Sequence, residues 1–85
     1  MLIEVCGTGC PKCQATEKNV IQALKELGMK PGEDALVNEI KDIKMISARG
    51  VIMTPAVIID GVKVSEGRIP TPQEVKKWIA ERKQQ

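Results

Sequence analysis

Hydrophobic and polar positions follow two different periods along the chain, and the changes of period predict its elements. Residues 1–6 and 35–40 are short and mostly apolar, which is typical of strands. Residues 11–27 instead repeat apolar side chains at helical spacing, and Gly28 follows as a stop signal. This order predicts two parallel strands joined by a right-handed helical crossover. The predicted core positions of the helix are Val20, Ala23, Leu24 and Leu27.

The middle of the chain predicts a short helix followed by a β-hairpin. Residues 41–48 have the helical pattern, and strands are predicted at Ala56–Ile59 and at residues 62–64. Asp60 and Gly61 lie between these strands and are typical of a two-residue hairpin turn. The side chains of the short helix that we expect to point inward are Ile43, Met45 and Ile46.

A capping box predicts the start of a last helix. Thr71 and Glu74 have the spacing at which each side chain satisfies the backbone N–H of the other, and a proline occupies the first helical position. Residues 81–85 form a charged end that we expect to fray. The whole chain is therefore expected to be a single α/β domain, β-α-β-α-β-β-α, with helices on both faces of a four-stranded mixed sheet. The apolar stripe of the last helix is Val75, Trp78 and Ile79.

Composition and charge narrow the possible functions. Hydrophobic residues make up 42% of the chain and charged residues 28%, as in ordinary globular domains. The chain has no phenylalanine or tyrosine and one tryptophan, which implies an aliphatic core. A net charge of +2 and the scarcity of aromatic residues argue against nucleic acid as a partner. The longest apolar run, Ala56–Ile59, is too short to span a membrane, and no leader pattern precedes Glu4, so we expect a cytoplasmic protein. Three cysteines do not suggest a disulfide framework.

The stretch Cys10-Pro11-Lys12-Cys13 lies where the first strand gives way to the first helix. A sulfur at a helix N-terminus faces unpaired backbone N–H groups, which favour the thiolate, and the charge of Lys12 should help modestly. Pro11 suits the first helical position. Cys13 lies one turn further on and should be less exposed. We therefore predict that Cys10 attacks a substrate disulfide and that Cys13 resolves the mixed disulfide.

These features together resemble the thioredoxin/glutaredoxin superfamily, and the run from Gly7 to Cys13 is similar to the small thioredoxin-like redox-active disulfide proteins of archaea and anaerobic bacteria. The resemblance implies a thiol–disulfide oxidoreductase that needs no bound cofactor, is a monomer, and works with disulfide-containing proteins and a thioredoxin-type reductase. It implies a cis peptide bond before Pro55, strand-like backbone pairing of Thr54 with substrate, and space beside the site at Gly67.

Three further residues have alternative roles. Glu4 stands six positions before Cys10, where thioredoxins carry a buried acid that assists proton transfer. It is such an acid if its side chain points inward, and a surface residue if it points outward. Cys6 is interpreted as a core residue, with a third active-site thiol as the alternative. Met53 is either a core residue or part of an apolar docking surface.

Other classes of function remain open at this point. Two thiolates at this spacing make half of a tetrahedral metal site, so a dimer sharing four cysteines would bind zinc or an iron–sulfur cluster. A thioredoxin-like module that carries a metal or a persulfide on Cys10 and Cys13 is therefore the alternative to the oxidoreductase. A purely structural domain with unreactive thiols is a third hypothesis. Copper chaperones also carry a cysteine pair after their first strand, but they end on a strand, whereas this chain is predicted to end on a helix.

Overall fold

A computed structural model shows the predicted order of elements, β-α-β-α-β-β-α. The structure describes residues 1–83, so the last two residues of the predicted charged end lie outside it. The strands are β1 (Leu2–Cys6), β2 (Leu36–Ile40), β3 (Ala56–Ile59) and β4 (Val62–Glu66). The helices are α1 (Pro11–Glu26), α2 (Ile43–Ala48) and α3 (Pro72–Lys83).

The four strands form one mixed sheet in the order β2-β1-β3-β4. β1 is a central strand, parallel to β2 and antiparallel to β3, which confirms the predicted parallel pair. β3 and β4 form the predicted hairpin. Asp60 and Gly61 both have positive φ, 49° and 83°, and this conformation matches the twist of the strands that they connect.

Side chains alternate across the sheet and build two separate cores, so helices cover both faces as predicted. Ile3 and Val5 of β1 point to one face, whereas Cys6 points to the other. α1 and α3 pack together on the first face, where the buried side chains include Val20, Leu24, Val57, Ile59, Val75 and Ile79. α2 covers the second face, where Cys6 is buried with Ile40, Ile46, Val51, Ala56 and Ile58.

The end of α1 confirms the stop signal but corrects one core prediction. Gly28 has a φ of 72° and donates its N–H to the Lys25 carbonyl, and Met29 donates to the Leu24 carbonyl, at 3.0 and 2.8 Å. This pattern is a Schellman motif, in which Met29 also buries its side chain beside the helix. Leu27 was expected in the core, but it caps the helix and is 37% exposed because the chain turns away there.

The short helix also differs from its prediction. Asp42 is its N-cap and accepts the Lys44 N–H at 2.8 Å, so the helix begins two residues later than expected. Of the three side chains expected to point inward, only Ile46 is buried, and Ile43 and Met45 are 69% and 45% exposed. A helix of six residues offers the sheet little more than one side chain, because a single turn takes 3.6 residues.

The last helix begins with the predicted capping box. The Glu74 N–H donates to Thr71 Oγ1 at 3.2 Å, and the Thr71 N–H donates to Glu74 Oε1 at 3.1 Å. Trp78 packs against the core, with the guanidinium of Arg68 5.9 Å from its ring centroid. No helix within residues 1–83 is long and apolar enough to cross a membrane.

Candidate active site

The cysteine pair sits on the turn from β1 into α1. Gly9 has a φ of 91°, a conformation that glycine adopts without steric cost, and it turns the chain into the helix. Cys10 is the N-cap residue with extended backbone angles, φ −68° and ψ 163°. Its carbonyl accepts the Gln14 N–H at 3.0 Å, and Pro11 follows at the start of the helix. The helix dipole and the unpaired N–H groups therefore converge on the Cys10 side chain.

The two sulfur atoms are in direct contact. Cys10 Sγ and Cys13 Sγ lie 2.6 Å apart, and the Cys13 backbone N–H points to Cys10 Sγ at 3.4 Å. Cys10 is half-buried, whereas Cys13 is 6% exposed. Cys10 is therefore the more accessible sulfur of the pair, and Cys13 lies deeper in the protein.

The surroundings of the two thiols shift their pKa values in opposite directions. The pKa of Cys10 is lowered, chiefly by the hydrogen bond from the Cys13 thiol and then by backbone N–H groups. The pKa of Cys13 is raised, chiefly because the thiol is buried and also because it donates to Cys10. Lys12 contributes a backbone N–H to the stabilisation of Cys10. The first turn of α1 contains no acidic residue that would oppose this effect.

Gly7 is a site residue that the sequence did not identify beyond its place in a turn. A methyl group at Gly7 would lie 2.3 Å from Cys13 Sγ and 2.9 Å from Cys13 Cβ, so the backbone there forms the surface on which Cys13 packs. The signal was a glycine directly after a buried strand, which often marks a close approach of another group.

The proline loop lies beside the cysteine turn. The Thr54–Pro55 peptide bond is cis. Cys6 pairs with Ala56 across β1 and β3, so the antiparallel register places Pro55 next to Gly7. Gly67 donates its N–H to the Pro55 carbonyl at 2.8 Å. Pro55 is buried and Thr54 is exposed, so the loop presents Thr54 at the surface next to the turn that contains Gly7.

Glu66 holds this loop in place, and it was not identified from the sequence. Its carboxylate accepts the backbone N–H groups of Ile52 and Met53, and it pairs with Lys63 Nζ at 2.9 Å. The first of these backbone hydrogen bonds, followed by the Lys63 contact, lowers the pKa of Glu66 to about 2. Met53 is 61% exposed and lies against Gly67, so its side chain contributes to the surface rather than to the core.

Glu4 is inward, on the face of the sheet that α2 covers. Its side chain is 12% exposed, and Oε2 accepts hydrogen bonds from Arg49 Nε and Nη2 at 3.1 and 2.7 Å. Cys13 belongs to α1, which packs on the other face. The structure therefore joins Glu4 to Arg49 and Cys6 rather than to the cysteine pair, and the proton-transfer role of Glu4 stays a prediction.

Cys6 lies in the core beneath α2. It is fully buried, and all three thiols are free. Burial raises the pKa of Cys6, although the charge of Arg49 opposes the shift. A buried thiol with a raised pKa is a poor nucleophile, which agrees with the core interpretation. Within residues 1–83, no three cysteine or acidic side chains are grouped as a metal site would require.

A thioredoxin-like sheet with two contacting cysteines at its first strand-to-helix turn defines the class of thiol–disulfide oxidoreductases. Comparison with known proteins identifies the family. A sequence model described as thioredoxin domain matches residues 1–80. The chain is 43% identical to a thioredoxin of Methanocaldococcus jannaschii over 79 residues, which are 93% of this chain and 86% of that protein. It is 39% identical to a thioredoxin of Methanothermobacter thermautotrophicus over 80 residues, 94% and 99% of the two chains. The chain belongs to the thioredoxin family.

Proposed function

We propose that the protein reduces disulfides through Cys10 and Cys13, with Cys10 as the attacking thiolate and Cys13 as the resolving thiol. The supporting observation is the contact of the two sulfurs at the N-terminus of α1, 2.6 Å apart, with pKa values shifted in opposite directions. The more accessible thiol, Cys10, is the one that ionises more readily, and the buried thiol of Cys13 stays protonated until the second step.

The reaction has two displacement steps. Cys10 thiolate attacks one sulfur of the substrate disulfide and forms a mixed disulfide, and the other substrate sulfur leaves as a thiolate with the electron pair of the broken bond. Cys13 then loses its proton and attacks Cys10 Sγ. The Cys10–Cys13 disulfide forms, and the remaining substrate sulfur leaves as a thiolate. The substrate gains two electrons, which the cysteine pair supplies.

The loop beside the cysteines is proposed to bind the substrate chain. Thr54 is exposed next to buried Pro55, so its backbone is available to pair with an extended substrate segment. Ile52 and Met53 are 90% and 61% exposed and offer apolar contact to the side chains of that segment. Gly67 has no side chain, and the space beside it is filled by the Met53 side chain, so we propose that the two residues together form the surface that such a segment contacts.

The partners and the setting follow from this chemistry. The substrates are disulfide-containing proteins, and a thioredoxin-type reductase regenerates the dithiol, which serves without a bound cofactor. The protein acts as a monomer, because one chain carries both thiols. We place the protein in a reducing compartment such as the cytoplasm, where cysteines are kept as free thiols.

A redox titration tests the proposal. The purified protein is equilibrated with dithiol buffers of increasing oxidation, and each cysteine is then alkylated and mapped by mass spectrometry. We expect one reversible two-electron transition confined to Cys10 and Cys13. Cys13→Ser should accumulate mixed disulfides with substrate, whereas Cys10→Ser should abolish the reaction. Cys6→Ala is the matched control and should leave the transition in place.

Two results would contradict this function. Thiols that resist oxidation would indicate a structural domain. Thiols protected by zinc or iron that purifies with the protein would indicate the metal-binding alternative, with two chains sharing one site.

A further inference from the structure

A cleft of about 140 Å³ opens at the carboxyl ends of β1 and β2, beside the first turns of α1. Its walls include Cys13 and Glu17 from α1, Glu39 from β2, and Lys41 just beyond that strand. A polar cleft of this size has room for several water molecules. The otherwise buried thiol of Cys13 therefore borders a water-accessible space that contains carboxylates.

Helix and sheet geometry explain why these groups meet. Cys13 and Glu17 are four residues apart on α1 and so lie on the same helix face. Glu39 pairs with Val5 in the parallel register, and Val5 points to the α1 face of the sheet. The cleft is thus a regular consequence of the β1-α1-β2 unit.

We propose that Glu17 accepts the proton of the Cys13 thiol, through water in this cleft, during the attack of Cys13 on the mixed disulfide. This inference rests on the proposed function, which requires a deprotonated Cys13 in its second step. Cys13 is the thiol that needs help, because its burial disfavours the charged form.

Glu17 is the available carboxylate among the three acids near the site. Glu39 Oε2 is paired with Lys41 Nζ at 3.1 Å. Glu4 is held by Arg49 on the opposite face of the sheet. The Glu17 side chain makes no ion pair or hydrogen bond with any residue in the part of the chain that the structure describes, and it is half-buried at the cleft.

The step balances with the groups already present. The Cys13 proton passes to a cleft water as a proton of that water passes to the Glu17 carboxylate. Cys13 Sγ forms its bond to Cys10 Sγ, and the Cys10–substrate bond breaks with its electron pair on the substrate sulfur. The proton on Glu17 then leaves to solvent through the open cleft or reaches the departing thiolate. No additional oxidant or reductant takes part.

The charges around Cys13 determine whether removal of Glu17 should speed or slow the attack by Cys13. Cys10, Glu17, Glu39 and Lys41 are the titratable or charged groups that contact Cys13 or share its cleft. If Glu17 were only a nearby negative charge, its removal would stabilise the Cys13 thiolate and accelerate the second step. As a proton acceptor, its removal must instead slow that step. The two interpretations therefore predict opposite changes in rate.

The experiment follows the two steps separately in the Cys6→Ala protein. Reduced protein is mixed with dithiobis(nitrobenzoate) in a stopped-flow instrument, and each displaced coloured thiolate is counted. The first release reports the attack by Cys10 and the second the attack by Cys13, which Cys13→Ala must abolish. We expect Glu17→Gln to slow the second release by about tenfold or more and to leave the first unchanged. Glu17→Asp should recover most of the rate.

A pH series and a charge-matched control complete the test. The defect of Glu17→Gln should shrink as the pH rises, because hydroxide then removes the Cys13 proton; a distorted site would stay slow at every pH. Glu33→Gln removes the same charge from an exposed position and should change neither release. A second release in Glu17→Gln as fast as in Glu33→Gln, or a larger loss in Glu4→Gln, would overturn the inference and leave the proposed function intact. Failure of the unsubstituted Cys10 to react would overturn both.

Discussion

Gly7→Ala tests the packing on which the position of Cys13 depends. The added methyl carbon would lie 2.3 Å from Cys13 Sγ, about 1 Å closer than the 3.4 Å at which ordinary contacts begin. It would also lie 2.9 Å from Cys13 Cβ. Cys13 is buried on the inner side of α1, and its Cβ is fixed to the helix backbone, so we expect the strand and the helix to move apart.

The size of the effect follows from this overlap. Overpacking a buried site by one carbon costs ~1–3 kcal/mol, and we expect ~2 kcal/mol because both close atoms belong to the buried Cys13. With a urea dependence of ~1–2 kcal/mol per M, the unfolding midpoint should fall by about 1–2 M. The shift of Cys13 should also lengthen the 2.6 Å contact between its sulfur and that of Cys10. The attack of Cys13 on the mixed disulfide should therefore become slower.

The assay is urea unfolding of the reduced protein, followed by the fluorescence of Trp78. Thr8→Ala, at the exposed neighbouring position, is the control for a change in the same turn. A double-mutant cycle with Cys13→Ala removes the sulfur but keeps Cβ, so the cost of Gly7→Ala should fall by ~1 kcal/mol in that background. The reasoning is refuted if Gly7→Ala costs no more than Thr8→Ala, or if its cost is the same with and without the Cys13 sulfur.

Two further predictions concern pH. Because the thiolate is the reactive form, the rate at which iodoacetamide alkylates Cys10 should rise with pH, with a midpoint below that of an ordinary cysteine. Cys13→Ala should raise this midpoint, because it removes the hydrogen bond that chiefly lowers the pKa of Cys10. An unchanged midpoint would contradict this role of the Cys13 thiol. Glu66 and Glu74 have pKa values lowered from 4.5 to about 2, so they stabilise the fold above pH 4.5, and this contribution is lost as the pH falls towards 2. The free energy of unfolding, measured between pH 2 and pH 4.5, should depend less on pH in Glu74→Gln than in the unsubstituted protein. An equally steep dependence would refute the stabilising role of ionised Glu74.

Local signals were sufficient for most of the fold. Gly28, Asp60 and the capping box of Thr71 and Glu74 each specify their turn by backbone conformation or by a hydrogen bond between near neighbours. Ile43 was misplaced because its pattern fits a helix face, whereas the number of inward positions depends on how much of a short helix meets the sheet. How much of the helix contacts the sheet depends on tertiary packing, which a local sequence pattern does not reveal.

The candidate site divides in the same way. The placement of Cys10 and Cys13 depends on one strand-to-helix turn, so it could be predicted. Glu66 and Arg49 act on backbone or side chains far along the chain, and nothing in their own neighbourhood distinguishes them from surface charges. To predict the role of Glu4, one must know which face of β1 its side chain occupies and which residue pairs with it. Neither could be deduced from the sequence.

The pairing of β1 with β3 has a consequence for how such a protein can evolve. The groups that shift the pKa values of Cys10 and Cys13, and the cleft beside Cys13, lie within residues 5–41, while the loop and the glutamate that shape the neighbouring surface lie within residues 52–67. The two segments meet where β1 pairs with β3, with Cys6 facing Ala56, and in the two cores on either side of the sheet. Under the proposed function, substitutions in the first segment would change the reducing strength and keep the choice of partner, and substitutions in the second would do the reverse. The fold separates the two traits on which selection acts.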